Sequence, residues 1–267
     1  MKPTDYEALD AGAVAAALGE LAGLFVLTVV PECDSTNSRL LESPPPEDGR
    51  IAVLATDRQT AGRGRRGRSW LSWPGAGLTF SLRWPFVPAP HVPAGLSLVV
   101  GLAVARALEA LGVEGVQLKW PNDVLIHGRK LAGILVELSS GRGRGTAAVI
   151  GIGLNLRLPP DAVVDAATGV TDLTSCLDGP PGPNRLLAAL LAQLQPLLQL
   201  YAAAGFTALR GAWLQRNAFA DLPVRILGER DEIVGTCAGV DDDGALLVHT
   251  ADGLRRVLSG EVSLRLA

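Results

Sequence analysis

Residues 116–138 read VQLKWPNDVLIHGRKLAGILVEL, which is three apolar segments separated by two short polar turns. The segments at 116–120, 124–126 and 130–138 have the length and apolar content of strands. The PND and HGR sequences between them carry residue types that favour turns. This region is therefore rich in strands, which predicts that it belongs to a sheet.

Strand and helix patterns continue on both sides of this region. Further strands are predicted at 24–30, 51–55, 77–84 and 147–156, and helices at 11–24, 35–41, 93–111, 184–204 and 206–217. Asn184 is expected to cap its helix, whose leucines form an apolar stripe typical of packing. This part of the chain is rich in strands and has few helices, which predicts an α+β fold.

The pattern changes after residue 220. Short strands are predicted at 222–227, 232–240, 245–248 and 254–258, with tight polar turns between them, including 228–231. Hairpins of this kind predict a small β-barrel. The chain is therefore predicted to comprise a larger domain at 1–219 and a small β-domain at 220–267.

Composition excludes several classes of protein. The chain has 267 residues, a formal net charge of −3 and a pI near 5.7, which disfavours a general nucleic-acid binder. Three widely spaced cysteines (Cys33, Cys176 and Cys237) form no zinc pattern and indicate reduced thiols in a cytoplasmic protein. No signal peptide is recognised, and the apolar stretch 92–105 is too short to span a membrane.

Lysine is rare in this chain. Only Lys2, Lys119 and Lys130 are lysine among 24 basic residues. Lysine is a compact, strongly hydrated charge that arginine does not always replace. We therefore expect a functional need at Lys130, whereas Lys119 is equally consistent with a surface charge.

Residues 62–68 read GRGRRGR, which favours a flexible loop that closes over an anion. The run matches the G-x-G-x-x-G dinucleotide pattern, but the SWLSWPG sequence that follows is not a helix start, and no acidic residue lies at the required distance. No Walker A sequence occurs either. Three glycines without an apolar anchor predict that the loop is disordered until a ligand binds.

Five motifs in this order identify a family. They are DSTN at 34–37, QTAGRGRRGRSW at 59–70, KWPNDV at 119–124, KLAGILVE at 130–137 and GIGLN at 151–155. Together they resemble biotin–protein ligases. The resemblance implies a class II synthetase-like catalytic domain with a mixed sheet, and an SH3-like C-terminal β-barrel.

The resemblance also implies a two-step reaction. Biotin and ATP, which is accompanied by Mg²⁺, give biotinyl-5′-AMP, and a lysine of a biotin carboxyl carrier domain then takes the biotinyl group. The expected protein is a cytoplasmic monomer or homodimer. Because only 34 residues precede Ser35, we expect no helix-turn-helix and no sequence-specific DNA binding.

Site residues follow from the same motifs. The catalytic candidates are Arg63, Arg65, Lys119, Asp123 and Lys130. The candidates for binding biotin or the adenylate are Ser35, Thr36, Asn37, Gln59, Arg63, Gly64, Arg65, Trp70, Lys130 and Asn155. Asn37 is equally consistent with a helix cap, and Asp123 with a turn residue instead of a group that orients or deprotonates the acceptor lysine. No resident metal site is predicted.

Rival functions remain at this point. A lipoate or octanoate protein ligase belongs to the same superfamily, and a non-catalytic biotin-binding module would need no phosphate-binding cations. An arginine–glycine nucleic-acid binder would need interleaved aromatic residues and a basic pI, which this chain lacks.

Overall fold

The computed structural model describes residues 7–85, 94–141, 144–164, 166–228, 232–260 and 262–267. Its larger sheet has seven strands: β1 Phe25–Cys33, β2 Ile51–Gln59, β3 Gly77–Pro85, β4 Val116–Lys119, β5 Asp123–Ile126, β6 Arg129–Gly141 and β7 Arg144–Asn155. Their order is β1-β2-β3-β7-β6-β5-β4. The β1–β2 pair is parallel and every other neighbouring pair is antiparallel. The predicted mixed sheet is confirmed.

Five helices accompany the sheet in the described chain: α1 Ala11–Leu18, α2 Thr36–Glu42, α3 Leu96–Ala110, α4 Pro183–Ala204 and α5 Thr207–Leu214. Helix α3 is buried along most of its length and α4 along about half, and both share the main hydrophobic core with the sheet. By length and composition α4 alone among the described helices could cross a membrane. Its predicted leucine stripe is buried in the core, which explains that apolar composition.

The predicted cap of α4 is wrong. Gly182 occupies the N-cap position and Pro183 is the first residue of the helix. Proline suits this position because its φ is already helical and a first-turn N–H has no partner within the helix. The buried Asn184 side chain instead donates to Glu7 Oε1 at 2.6 Å and accepts from Asp10 N at 2.8 Å. It therefore anchors the segment that precedes α1.

Helix α3 begins later than predicted. Gly95, at its N-cap, has a left-handed φ of 78°, so the helix starts at Leu96. Pro93, where the prediction began, lies outside the described residues.

The C-terminal region forms a second, five-stranded antiparallel sheet. Its strands are β8 Pro223–Leu227, β9 Glu232–Val240, β10 Leu246–Thr250, β11 Gly253–Val257 and β12 Ser263–Leu266, in the order β11-β10-β9-β8-β12. The sequence prediction missed β12, because four residues at the chain end carry little periodic signal. Most of the turn predicted at 228–231 lies outside the described residues. The domain division at 219/220 stays a prediction.

The two sheets meet close to the KWPND motif. Trp120 donates its indole N–H to Gly244 O at 3.0 Å in a buried hydrogen bond. A Cβ on Gly244 would lie 2.8 Å from the Cα of Gly95, so only glycine allows this approach of the two backbones. The β4–β5 hairpin is thus supported from the C-terminal side.

Candidate active site

A cavity of about 570 Å³ opens on the larger sheet and is bordered by the C-terminal sheet. All twelve residues predicted to form the site line it. They are Ser35, Thr36, Asn37, Gln59, Arg63, Gly64, Arg65, Trp70, Lys119, Asp123, Lys130 and Asn155. The fold thus gathers residues that are up to 120 positions apart in the sequence.

One end of the cavity, lined by Ser35, Thr36 and Gln59, is polar and uncharged. Helix α2 begins here because Ser35 caps it and accepts from Ser38 N at 3.4 Å. The amide oxygen Oε1 of Gln59 accepts from both the backbone N and the Oγ1 of Thr36, at 2.7 and 3.1 Å. Gln59 Nε2 donates to no residue in the described part of the chain. This end therefore keeps a hydrogen-bond donor for a neutral ligand.

Asn37 is not a helix cap. It lies inside α2, is 3% exposed and donates to Glu137 Oε2 at 2.9 Å. Its Oδ1 lies 2.6 Å from Ser81 Oγ. A Cβ on Gly151 would lie 2.3 Å from that Oδ1, which explains the first glycine of the GIGLN motif. Asn37 therefore joins helix α2 to strands β3 and β6.

Trp70 lies across strands β6 and β7. A Cβ on Gly153 would lie 2.2 Å from its ring atom Cε2, and one on Gly133 would lie 3.1 Å from Cζ3. The ring therefore occupies space that a Cβ on Gly153 would fill, and it packs tightly against Gly133. Lys130 Nζ lies 5.8 Å from the ring centroid, within range of a cation–π interaction. Trp70 thus forms a flat apolar wall beside a cation.

Two lysines and one aspartate form the charged centre of the cavity. Lys119 and Asp123 pair across the β4–β5 hairpin, and β6 places Lys130 on the other side of the aspartate. Asp123 Oδ1 lies 2.6 Å from Lys130 Nζ, and Oδ2 lies 3.4 Å from Lys119 Nζ. These side chains are 9–18% exposed. The cluster carries one net positive charge in a poorly solvated place.

Burial acts on the pKa values of this cluster. It lowers the pKa of Lys119 below its ordinary 10.5, although Asp123 acts in the opposite direction. Burial alone would raise the pKa of Asp123, but Lys130 and Lys119 outweigh it and hold that pKa below 3.8. A carboxylate whose pKa lies below the ordinary aspartate value is a poor proton acceptor at neutral pH. The geometry therefore favours Asp123 as a residue that holds both lysines.

The glycine–arginine loop lies over this centre. Trp70 N donates to Gly62 O at 2.9 Å and Gly64 N donates to Arg68 O at 2.6 Å, which closes the loop on itself. A Cβ on Gly62 would lie 2.4 Å from Trp70 O, so glycine is needed where the two ends of the loop meet. The loop has one described conformation; its predicted disorder without ligand stays a prediction.

The loop arginines contact two different parts of the protein. Arg63 forms an ion pair with Glu137 on β6. Arg65 donates to Asn122 Oδ1 at 3.3 Å and to Gly260 O at 2.6 Å. Gly260 lies shortly before β12 in the chain. The side chain of Arg63 is 42% exposed, so it is better solvated than the side chains of the lysine cluster.

The cavity also includes residues that the sequence prediction missed. Asn155 donates to Thr171 O at 3.0 Å, and Lys130 N donates to Gly169 O at 3.1 Å. These bonds hold the segment before Thr171 against β6, and this segment and β12 line the cavity. Neither segment carries a motif. Glu137, which pairs with Arg63 from outside the cavity lining, is the last residue of the KLAGILVE motif, so the motif could have indicated it.

No group of three or more histidine, cysteine, aspartate or glutamate side chains suited to a metal occurs among the described residues. All three cysteines are free.

Comparisons with known proteins agree on one family. Residues 29–155 match the "Biotin/lipoate A/B protein ligase family", and residues 223–265 match the "Biotin protein ligase C terminal domain". The chain is 38% identical over 253 residues to the bifunctional ligase/repressor BirA of Escherichia coli, covering 94% of this chain and 77% of the relative. It is 39% identical over 237 residues to the biotin–[acetyl-CoA-carboxylase] ligase of Paracoccus denitrificans, covering 86% of this chain and 96% of that relative.

A solved structure agrees with these relatives. The biotin protein ligase from Aquifex aeolicus in complex with biotin and ATP superimposes with a TM-score of 0.79 at 31% identity. The match covers 90% of this chain and 99% of that one.

Proposed function

The chain belongs to the family of biotin protein ligases, and we propose that it activates biotin with ATP and transfers the biotinyl group to a lysine of a carboxylase carrier domain. One observation carries this proposal. A single cavity joins a neutral hydrogen-bonding end at Thr36 and Gln59 to a cationic end at Lys130. Biotin is a molecule of matching form, with a neutral ureido group at one end and a carboxylate at the other.

The neutral end is suited to the ureido group. Gln59 keeps an amide N–H that can donate to the ureido oxygen, and Ser35 contributes a hydroxyl that both donates and accepts. Lipoate and octanoate have no group of this kind at the equivalent position, so their binding would leave these polar groups unpaired. Such mismatches cost a large factor in selectivity. This argument favours biotin over the two fatty-acid alternatives.

The cationic end is suited to adenylation. A biotin carboxylate oxygen attacks the α-phosphorus of ATP, a new P–O bond forms, and the bond to the β-phosphate breaks to release pyrophosphate. Negative charge develops on the phosphoryl oxygens during this step. Lys130, Arg63 and Arg65 line the space where that charge would lie, and fixed cations there lower the barrier. Mg²⁺ enters as part of the MgATP substrate.

The adenosine group is assigned to the aromatic side of the cavity. Trp70 offers a flat face for the adenine ring, and Asn155 lies at the end of the adjacent strand β7. Gly64 allows the loop backbone to pass close to the adenylate.

The second step transfers the biotinyl group. The acceptor lysine, as a free amine, attacks the biotinyl carbonyl carbon; the C–O bond to phosphate breaks and AMP leaves. The loop excludes water from the mixed anhydride until the acceptor arrives. Lys119 and Lys130, held by Asp123, stabilise the departing phosphate. We assign the reaction to the cytoplasm, where carrier domains and reduced cysteines both occur.

Pyrophosphate release tests the first step directly. The protein is mixed with MgATP and biotin, lipoate, octanoate or no acid. Release that depends on biotin alone supports the proposal, and release with lipoate or octanoate alone would assign the chain to the alternative class. Mass increase of an added biotin carboxyl carrier domain tests the second step. No release with any acid would refute the assignment as an ATP-dependent ligase.

A further inference from the structure

Glu137 connects the neutral end of the cavity to the glycine–arginine loop. Its Oε2 accepts from Asn37 Nδ2 at 2.9 Å, and its Oε1 pairs with Arg63 of the loop. Both carboxylate oxygens are thus engaged, each by a different element. Glu137 does not line the cavity itself, so it acts through these two neighbours.

Each neighbour lines the cavity from a different element. Asn37 lies in α2 beside Thr36, at the neutral end, and Arg63 lies in the glycine–arginine loop. Glu137 extends from the middle of a strand, where its backbone is paired with Val149 of β7. The carboxylate is therefore a fixed point on the sheet to which both a helix and a loop attach.

The loop is attached to the rest of the protein in two directions. Arg65 donates to Asn122 Oδ1 and to the carbonyl oxygens of Ser259 and Gly260, on the side of the C-terminal sheet. Arg63 pairs with Glu137 on the side of the larger sheet. The Glu137 side chain is 28% exposed, so the ion pair is only partly screened by solvent. This pair therefore holds the loop toward β6.

We propose that Glu137 is a positioning residue that holds Arg63 in the closed loop and thereby sets how long biotinyl-5′-AMP is retained. The carboxylate takes one edge of the guanidinium and leaves its other N–H groups for the ligand. When the ion pair opens, the loop loses this attachment to β6 and the adenylate is released. This inference rests on the proposed function for the nature of the retained ligand, but the closure itself is a property of the loop.

Glu137→Gln isolates the charge. Glutamine keeps an oxygen that can accept from Asn37, so α2 stays in place, but it carries no charge for Arg63. We expect release of biotinyl-5′-AMP to accelerate about three- to tenfold, as befits the loss of one partly exposed ion pair. The KM for biotin should stay within about twofold of the wild-type value. Glu137→Ala removes both contacts and should raise both the release rate and the KM.

Glu32→Gln is the matched control. Glu32 pairs with Arg58 at 2.9 Å across β1 and β2 of the same sheet, outside the cavity. Loss of this pair should leave adenylate release unchanged. Equal acceleration in both variants would overturn the inference, as would release from Glu137→Gln at the wild-type rate.

Trypsin cleavage of the ligand-free protein provides a readout that needs no enzymatic activity. Cleavage after the arginines of residues 62–68, mapped by mass spectrometry, should be faster in Glu137→Gln than in the wild type or Glu32→Gln. Faster cleavage without any pyrophosphate release from the wild type would support the closure and refute the proposed function. Wild-type pyrophosphate release with unchanged cleavage and adenylate retention would refute the role of Glu137 alone.

Discussion

The two cationic parts of the site are built in different ways. Lys119 and Lys130 extend from strands, are mostly buried and share one buried aspartate. Arg63 and Arg65 lie in a loop, and the Arg63 side chain is 42% exposed. The lysine cluster is placed by the sheet and costs desolvation, whereas the loop arginines keep more of their hydration and depend on side-chain contacts for position.

This difference indicates separate roles for the lysines, which are fixed in the sheet, and for the arginines, which lie in a loop. A buried lysine gives a strong, fixed interaction with phosphate because little water competes. A loop arginine is weaker when the site is open, but it can leave to admit substrates and return to exclude water. A ligase that must both protect an anhydride and deliver it to a protein needs each kind.

Removing Lys130 should have the largest effect. Lys130→Ala takes away the cation that contacts both Asp123 and Trp70, so pyrophosphate release should fall about 10²–10³-fold. Arg129→Ala is the control, because Arg129 is the exposed neighbour on the same strand. A fall of the same size in both variants would show that charge in this strand, and not the position of Lys130, is what matters.

Gly62→Ala should have the next largest effect, and it tests the loop. The new Cβ would lie 2.4 Å from Trp70 O, so the loop base and the Trp70 wall must shift. Displacement of about 1 Å can reduce the rate about 10²-fold. Pyrophosphate release with saturating biotin and MgATP measures this loss.

Gly67→Ala is the matched control within the loop. Gly67 has a φ of 67°, and a Cβ at this position would meet no neighbouring atom within 4 Å, so the change brings backbone strain without a collision. Strain of this kind should reduce the rate of adenylate formation by no more than about fivefold. Similar losses in Gly62→Ala and Gly67→Ala would mean that the loop is sensitive to stiffness and not to its contact with Trp70.

The sequence predicted which residues line the cavity better than it predicted how those residues are held. Ser35, Gln59 and Lys130 belong to short motifs. Their polar side chains are not explained by core packing, so the motifs indicated a functional role. The position of Trp70 over Gly153 and Gly133 joins segments far apart in the chain, and no local pattern encodes that contact. Long-range contacts of this kind form only once the sheet order is set.

The same distinction explains the errors. Strands and helices with clear periodicity were predicted to within a few residues, and the apolar stripe of α4 is buried as expected. Asn184 was assigned to a cap from its neighbours alone, but its partner Glu7 is 177 positions away. β12 was missed because its pairing with β8, not its own four residues, makes it a strand.

The smallest effect concerns the pH dependence of stability, and it tests the lysine cluster. The folded-state pKa of Asp123 lies below 3.8, so its ion pairs stabilise the protein above pH 4 and that stabilisation is lost as pH falls through the folded value. Asp123→Asn should lower the free energy of unfolding at neutral pH, and the gap to the wild type should close below pH 4, by at most about 1.4 kcal/mol per pH unit.

Asp48→Asn is the control for Asp123→Asn, because it removes an exposed carboxylate and not a mostly buried one. Asp48 pairs with Arg50 at 2.7 Å, and both side chains are about half exposed. High salt should reduce the effect of Asp48→Asn far more than that of Asp123→Asn, because exposed ion pairs are screened more strongly than mostly buried ones. Denaturant unfolding from pH 2 to 7 at low and high salt measures both. If salt abolished the Asp123→Asn difference as well, the cluster would be as solvated as the loop, and the contrast between fixed and movable charge would fail.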